Sequence, residues 1–166
     1  PGIVPLFDSG WHGDRLYYVM PCIEGTTLRD TLEASGQVPA PQALRLTGDA
    51  AEALSYAHAM GFVHRDIKPA NIILSGKNAK VLDFGLAQVT GGESKLTTLT
   101  RTNLAMGTFN YLSPEQRLSA KTVDHRADIY SLGVVFYEML TGELPLGKFA
   151  PPSSRMRGMQ VDLRLD

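Results

Sequence analysis

Apolar positions fall along the chain in short blocks divided by turn residues, with two long exceptions. "IVPLF" at 3–7 reads as a strand, "GWHGD" at 10–14 as a turn, and "RLYYVM" at 15–20 as a second strand rich in aromatic and β-branched residues. Together they predict a hairpin. "PCIEG" at 21–25 interrupts the pattern, and "TLRDTLEAS" at 27–35 has the form of a short helix ended by Gly36. The clearest amphipathic helix spans 41–60. Leu46, Ala50, Leu54 and Ala57 recur there at helical spacing, Pro41 suits the first turn and Gly61 lies just past the end. Short strands are expected at 62–63, 72–74 and 79–83, with "SGKN" turning between the last two. Residues 86–106 are polar, threonine-rich and without period, so they read as a loop. The second long element, 127–141, is apolar almost all round and should be buried. The tail "FAPPSSRMRGMQ" reads as irregular, and no internal repeat is present. The mixture points to an α+β fold.

Composition narrows the class. A chain of 166 residues suits one domain or one large piece of a bigger one. At this length about 70% of the unfolded surface can be buried, so disulfides are not needed. The hydrophobic share of 43% and charged share of 20% are those of a soluble globular chain, and a net charge of −1 gives no reason to expect nucleic acid. Cys22 is the single cysteine, which fits a reducing compartment. The apolar run at 129–140 is too short to span a membrane, which takes about 20 residues. No signal peptide is visible. The start "PGIVPLF" and the end "MQVDLRLD" both read as cut, so a longer parent protein is expected. Trp11 and Cys22 read as packing residues. His12, His58 and His125 have no partners at metal-ligand spacing and read as structural or exposed.

Polar chemistry is concentrated in "HRDIKPANI" at 64–72, with "DFG" at 83–85 and "GTFNYLSPE" at 107–115 following. Asp66 is a carboxylate able to orient a hydroxyl or accept its proton. Asn71 and Asp83 are hard oxygen donors, and a few protein oxygens completed by substrate phosphates are what Mg²⁺ prefers. Lys68 is a point charge suited to a phosphoryl group. Phosphoryl transfer asks for positioning, metal and charge neutralisation, and these residues supply those parts.

In these motifs the sequence resembles the protein kinases, specifically the bacterial Ser/Thr kinases of eukaryotic type. "HRDIKPAN" matches the catalytic loop H-R-D-x-x-x-x-N, and "DFG" matches the metal-binding motif. "SPE" at 113–115 stands where A-P-E is usual, with Ser113 replacing the alanine, and "DIYSLG" at 128–133 resembles the start of the buried helix of the large lobe. The motifs cover nearly the whole chain in the correct order. The fold implied is kinase-like: mainly the helical C-terminal lobe, with the last two strands and hinge of the N-terminal lobe. The divisions are 1–20 for the end of the small lobe, 21–25 for the hinge and 26–166 for a large lobe truncated at its end.

By resemblance, Asp66 would orient the substrate hydroxyl. Lys68, the mark of Ser/Thr over Tyr specificity, would contact the transferred group, and Thr108 would brace both. Asn71 and Asp83 would bind the metals. Met20 would be the gatekeeper behind the adenine, Pro21 and Ile23 would offer hinge backbone, and Ile73 would form the adenine floor. Leu6, His64 and Phe84 would belong to a stacked spine, with Gly85 completing the metal motif. Asp128 would anchor the catalytic-loop backbone, and Glu115 would lack its arginine, which the family places beyond Asp166. At least one of Thr97, Thr98, Thr100 and Thr102 would be phosphorylated, with Arg65 as the phosphate's partner, although the run also reads as plain solvated loop.

The resemblance also shows gaps. No G-x-G-x-x-G occurs, and neither does the phosphate-binding strand lysine nor its helix glutamate, all of which would precede Pro1. The residues given alone are therefore expected to be inactive, with the parent transferring the ATP γ-phosphate to Ser or Thr of proteins. The implied cofactors are ATP and Mg²⁺, with Mn²⁺ as a substitute. The implied partners are a protein substrate and a second kinase domain in a dimer. The implied site is the cytoplasm, with the parent either free or membrane-anchored. Two other readings stand beside this one. A non-catalytic pseudokinase would lack the upstream lysine. A small-molecule phosphotransferase would not need "GTFNYLSPE", which shapes a peptide platform in protein kinases.

Overall fold

A computed structural model describes residues 2–84, 107, 109–118 and 123–155. Strands β1 (Asp8–His12) and β2 (Arg15–Val19) form an antiparallel hairpin that turns at Gly13. Strand β3 (Thr26–Thr27) leads directly into helix α1 (Leu28–Ser35). Thr27 and Asp30 close a reciprocal capping box at the start of α1, which satisfies amide groups that the first turn leaves free. These hydrogen bonds from Thr27 hold the Asp30 carboxyl below its ordinary range.

Helix α2 (Ala40–Ala59) begins with proline in its first turn and buries Ala43, Leu46, Ala50, Ala53, Leu54 and Ala57 along one stripe. After it come a single 3-10 turn (Pro69–Asn71) and strands β4 (Ile72–Ser75) and β5 (Asn78–Val81). These pair antiparallel, with β3 on the other edge of β4 in the order β3-β4-β5. Helix α3 (Pro114–Leu118) is short. Helix α4 (Arg126–Thr141) is buried on nearly every side, and α5 (Pro152–Arg155) is a single turn.

The core lies between α2, α4 and the β4–β5 hairpin. Leu46, Ala50 and Leu54 meet Ile72, Val81, Val135, Met139 and Leu140 there. Two glycines permit close backbone approaches. A Cβ on Gly25, at φ +154, would stand 2.2 Å from the Leu74 carbonyl oxygen, and one on Gly142, at φ +73, would stand 2.6 Å from that of Gly36.

Several expectations are corrected. The stretch 3–7 is not the first strand of the hairpin. Residues 2–4 instead run beside β5, with Val81 N–H donating to Gly2 O (2.8 Å), Val4 N–H to Val81 O (3.0 Å) and a parallel bridge from Ile3 to Val81. Pro5 has no N–H to continue a ladder, so the hairpin starts afresh at Asp8. Residues 62–63 form no strand: Phe62 N–H turns back to the Ala57 carbonyl and finishes the end of α2. Strand β5 stops at Val81, short of Asp83, which takes a left-handed φ of +61. Trp11 is 66% exposed at the hairpin and Cys22 is exposed, so neither packs within the described residues. Of the tail, residues 149–151 are irregular and Pro152–Arg155 form the single turn of α5, while 156–160 lie outside the described residues.

Candidate active site

The loop from His64 to Asn71 joins α2 to β4 and is held from below by helix α4. Asp128 is fully buried. Its Oδ2 accepts the His64 N–H and the His58 Nε2–H, each at 2.8 Å, and its Oδ1 accepts the Arg65 N–H at 2.7 Å. These bonds hold Arg65 at φ +67, a conformation uncommon outside glycine.

His64 is 1% exposed and uses both ring nitrogens. Nε2–H donates to the Leu82 carbonyl at 2.6 Å, and Nδ1 accepts the Asp66 N–H at 3.2 Å. Burial lowers its pKa from 6.5, and the acceptor role of Nδ1 favours the same neutral form. Its ring meets Phe84 edge-on at 4.7 Å.

Asp66 presents a partly exposed carboxylate. Lys68 Nζ donates to its Oδ2 at 3.0 Å, and Asn71 Nδ2 donates to its backbone carbonyl at 2.8 Å and to Oδ2 at 3.3 Å. With Nδ2 committed, Asn71 has its Oδ1 left for another ligand. The Leu82 N–H donates to the Asn71 carbonyl at 2.9 Å, one step beyond the Ile72–Val81 pair, so Asp83 leaves β5 beside Asn71. Hard oxygen donors thus sit at the open end of the β4–β5 hairpin, next to Asp66. Among the described residues no three His, Cys, Asp or Glu side chains gather into a closed metal cage. The donor set fits a divalent cation whose remaining ligands come from phosphate oxygens and water.

Residues 1–161 match the family described as the protein kinase domain. This chain belongs to the protein kinase family. The serine/threonine-protein kinase PknB of Mycobacterium leprae is 42% identical over 182 aligned residues, covering 98% of this chain and 29% of that protein. PknB of Mycobacterium tuberculosis is 40% identical, again over 98% of this chain and 29% of the relative. PrkC of Bacillus subtilis is 37% identical over 163 residues, covering 98% of this chain and 24% of its own length. The chain therefore spans less than a third of these relatives. Its kinase-like α+β fold follows from the family match and from the mixture of helices with small antiparallel sheets. Kinase domains use ATP and a divalent cation, and the oxygen donors described above suit the cation. No helix among the described residues is long and apolar enough to cross a membrane.

The other expected kinase positions divide into those brought to the site and those left apart. Ile73 lies on β4 opposite Thr27 and is partly buried, as are Pro21 and Ile23. Met20 is 38% exposed, and Leu6, at 45%, does not share the burial of His64 and Phe84. Glu115 makes no ion pair with another described residue. Gly85, Thr97, Thr98, Thr100, Thr102 and Thr108 lie outside the described residues.

The structure adds contacts that sequence reasoning did not give. Gln116 is buried. Its Nε2 donates to the Arg65 carbonyl at 2.8 Å and its Oε1 accepts the Ser113 N–H at 3.1 Å, which ties α3 to the loop from His64 to Asn71. His58 pairs with Asp128 across 70 residues, a separation no local pattern reveals. Arg29 of α1 and Tyr111 converge on Glu138 of α4. Tyr111 donates to Glu138 Oε2 at 2.5 Å, Arg29 to Oε1 at 3.1 Å, and Arg29 also donates to the Tyr111 hydroxyl. Burial, joined by the Glu138 carboxylate, raises the Tyr111 phenol far above its ordinary range. Burial works against the Arg29 charge, but Glu138 and Tyr111 outweigh it and its pKa is raised. One signal for this cluster was legible: a glutamate inside an otherwise apolar helix needs a partner.

Proposed function

We propose that the protein containing these residues transfers the γ-phosphate of ATP to serine and threonine hydroxyls of other proteins. The observation that carries this reading is the hydrogen-bonded set Asp66, Lys68 and Asn71, with Asp83 leaving β5 beside it. Asp66 accepts the hydroxyl hydrogen bond and orients the nucleophile. Lys68 holds negative charge on the transferred group, and Thr108 braces both. Asn71 Oδ1 and the Asp83 carboxylate would hold Mg²⁺, or Mn²⁺ in its place, which would supply neutralisation of phosphate charge. Met20, Pro21, Ile23 and Ile73 surround the adenine.

In this reading residues 1–20 end the small lobe, 21–25 are the hinge and 26–166 belong to the large lobe. Residues 1–166 alone lack half of the phosphate grip and do not turn over. The reaction runs in the cytoplasm, where ATP is available. The test uses the full-length protein. Asp66→Asn should lower single-turnover phosphorylation by about 10²–10⁴-fold with nucleotide affinity nearly unchanged. Wild-type turnover in that variant would sink the assignment.

Regulation follows from Arg65. Among the described residues its Nε is buried without a partner, and its NH2 reaches the Val123 carbonyl at 3.5 Å. A phosphate on Thr97, Thr98, Thr100 or Thr102 would satisfy this guanidinium and order the loop that carries it. Mass spectrometry of the active protein should find phosphate there. Full activity without it would count against the idea.

A further inference from the structure

The described surface beside the catalytic loop carries one cation set in a fixed pose. Arg117 lies on α3, where its guanidinium stacks over the Phe109 ring at 4.9 Å and its Nε donates to the Leu112 carbonyl at 3.0 Å. Both side chains are exposed, Phe109 by 52%. The stacking and the carbonyl bond account for one face and one N–H of the guanidinium. Its terminal nitrogens have no partner among the described residues.

An exposed arginine normally loses side-chain entropy when it binds, and much of its electrostatic gain is lost with it. Here the ring and the carbonyl have already restricted the side chain, so less entropy remains to be lost. The location matters as much as the pose. Gln116, the preceding residue, donates to the carbonyl of Arg65, immediately before Asp66. Ser113 and Gln116 lock the same short segment together. Arg117 and Phe109 therefore stand on a segment bonded directly to the loop that holds the proposed catalytic carboxylate. With Nε committed to Leu112, the planar edge of the two terminal nitrogens matches a carboxylate, and the exposed ring beside it offers apolar contact.

We infer that Arg117, positioned by Phe109, selects protein substrates bearing an acidic side chain near the phosphoacceptor, by pairing its guanidinium with that carboxylate. The inference rests on the Ser/Thr transfer proposed above and adds a substrate class to it. Arg117 touches substrate away from the reacting atoms, so it sets preference and leaves the chemical step alone.

The test uses the full-length protein and short peptides carrying a single Thr in an alanine–glutamine background. Glu is placed singly at each flanking position, and kcat/KM is measured for each peptide. Wild type should favour Glu over Gln by about three- to tenfold at one or two positions on one side of the Thr. Arg117→Gln should remove that preference and keep wild-type turnover on the all-glutamine peptide. Arg117→Glu should reverse it, so that Lys is favoured at the same position. A misfolded variant would lose activity on all peptides alike and could not reverse a positional preference. Phe109→Ala should weaken the preference without reversing it.

Binding of the same peptides to the Asp66→Asn protein, followed by fluorescence anisotropy, separates the two readings. A Glu preference in binding that depends on Arg117, with no Thr phosphorylation in wild type, would overturn the transfer reaction and keep the acidic recognition. An absent Glu preference in both assays, or one that survives Arg117→Glu, would overturn this inference and leave the transfer reaction untouched.

Discussion

Replacing Asp128 by alanine should unfasten the catalytic loop. The carboxylate is the acceptor for the His64 and Arg65 amides and for His58, all at 2.7–2.8 Å. His58 keeps 14% side-chain exposure and can turn to water. The two amides are less free to do so, and each buried donor left without a partner costs about 1–3 kcal/mol, or roughly 2–6 kcal/mol together. Arg65 adds a further term. Its left-handed backbone, worth about 1–3 kcal/mol of strain, is held by the bond that is lost. The loop can escape part of both costs by rearranging, but that moves Asp66. A domain of ordinary stability has about 5–15 kcal/mol in hand.

Asp128→Ala should therefore lose roughly 2–5 kcal/mol in urea unfolding and nearly all phosphorylation activity. Asp128→Asn keeps the shape and one acceptor but aims an NH₂ at a donor, so it should lose about 1–3 kcal/mol. Should the alanine protein fail to fold, the asparagine protein carries the comparison. Urea midpoints at unchanged m-value, measured beside single-turnover rates, give both quantities. An alanine variant within about 0.5 kcal/mol of wild type and with unchanged rate would refute the anchoring argument.

Other expectations follow from the same contacts. Asp83→Asn should weaken metal-dependent nucleotide binding, read by calorimetry with and without Mg²⁺, while nucleotide binding without metal changes little. His64 has a folded pKa below its ordinary 6.5, so its contribution is full above that pH and is lost as pH falls. Urea midpoints between about pH 7.5 and pH 5.5 should show a decline that is absent in a His64→Phe protein. Tyr111 has a raised pKa, so its contribution is present below its ordinary 10.0 and is lost as pH rises past that value. Tyr111→Phe should cost about 1.5–3 kcal/mol at neutral pH and flatten the alkaline limb of the unfolding curve. Gly142→Ala should lower Tm by roughly 2–8 °C, because a left-handed residue gains a Cβ 2.6 Å from the Gly36 carbonyl oxygen.

What could be read from the sequence was what is local. The apolar stripe of 41–60, the short helix ended by Gly36 and the all-round apolarity of α4 each follow from side chains a few residues apart, and the elements match them closely. The strand at 3–7 failed because Pro5 was counted as part of an apolar run, although it cannot donate to a ladder. Trp11 was expected to pack because large aromatics usually do, yet hairpin register leaves it in solvent. In the candidate site, residue identities were legible from motif spacing, but the bonds that shape the loop were not. His58 meets Asp128 across 70 residues, and Gln116 meets Arg65 across 51. Such pairs depend on how helices cross, and spacing within a motif carries no information about that.

The distance along the chain between Arg65 and its anchor has a consequence during synthesis. The amide of Arg65 and the carboxylate of Asp128 are 63 residues apart. At about 5–20 residues per second, the ribosome delivers the anchor about 3–13 s after the loop. In that interval α2 and the β4–β5 hairpin can form from neighbouring residues, but nothing holds Arg65 in its left-handed conformation. A nascent chain halted before Asp128 would display every residue of the HRDIKPAN motif and still lack the bonds that fix its shape. The anchor thus makes a formed catalytic loop a mark that translation has passed the buried helix.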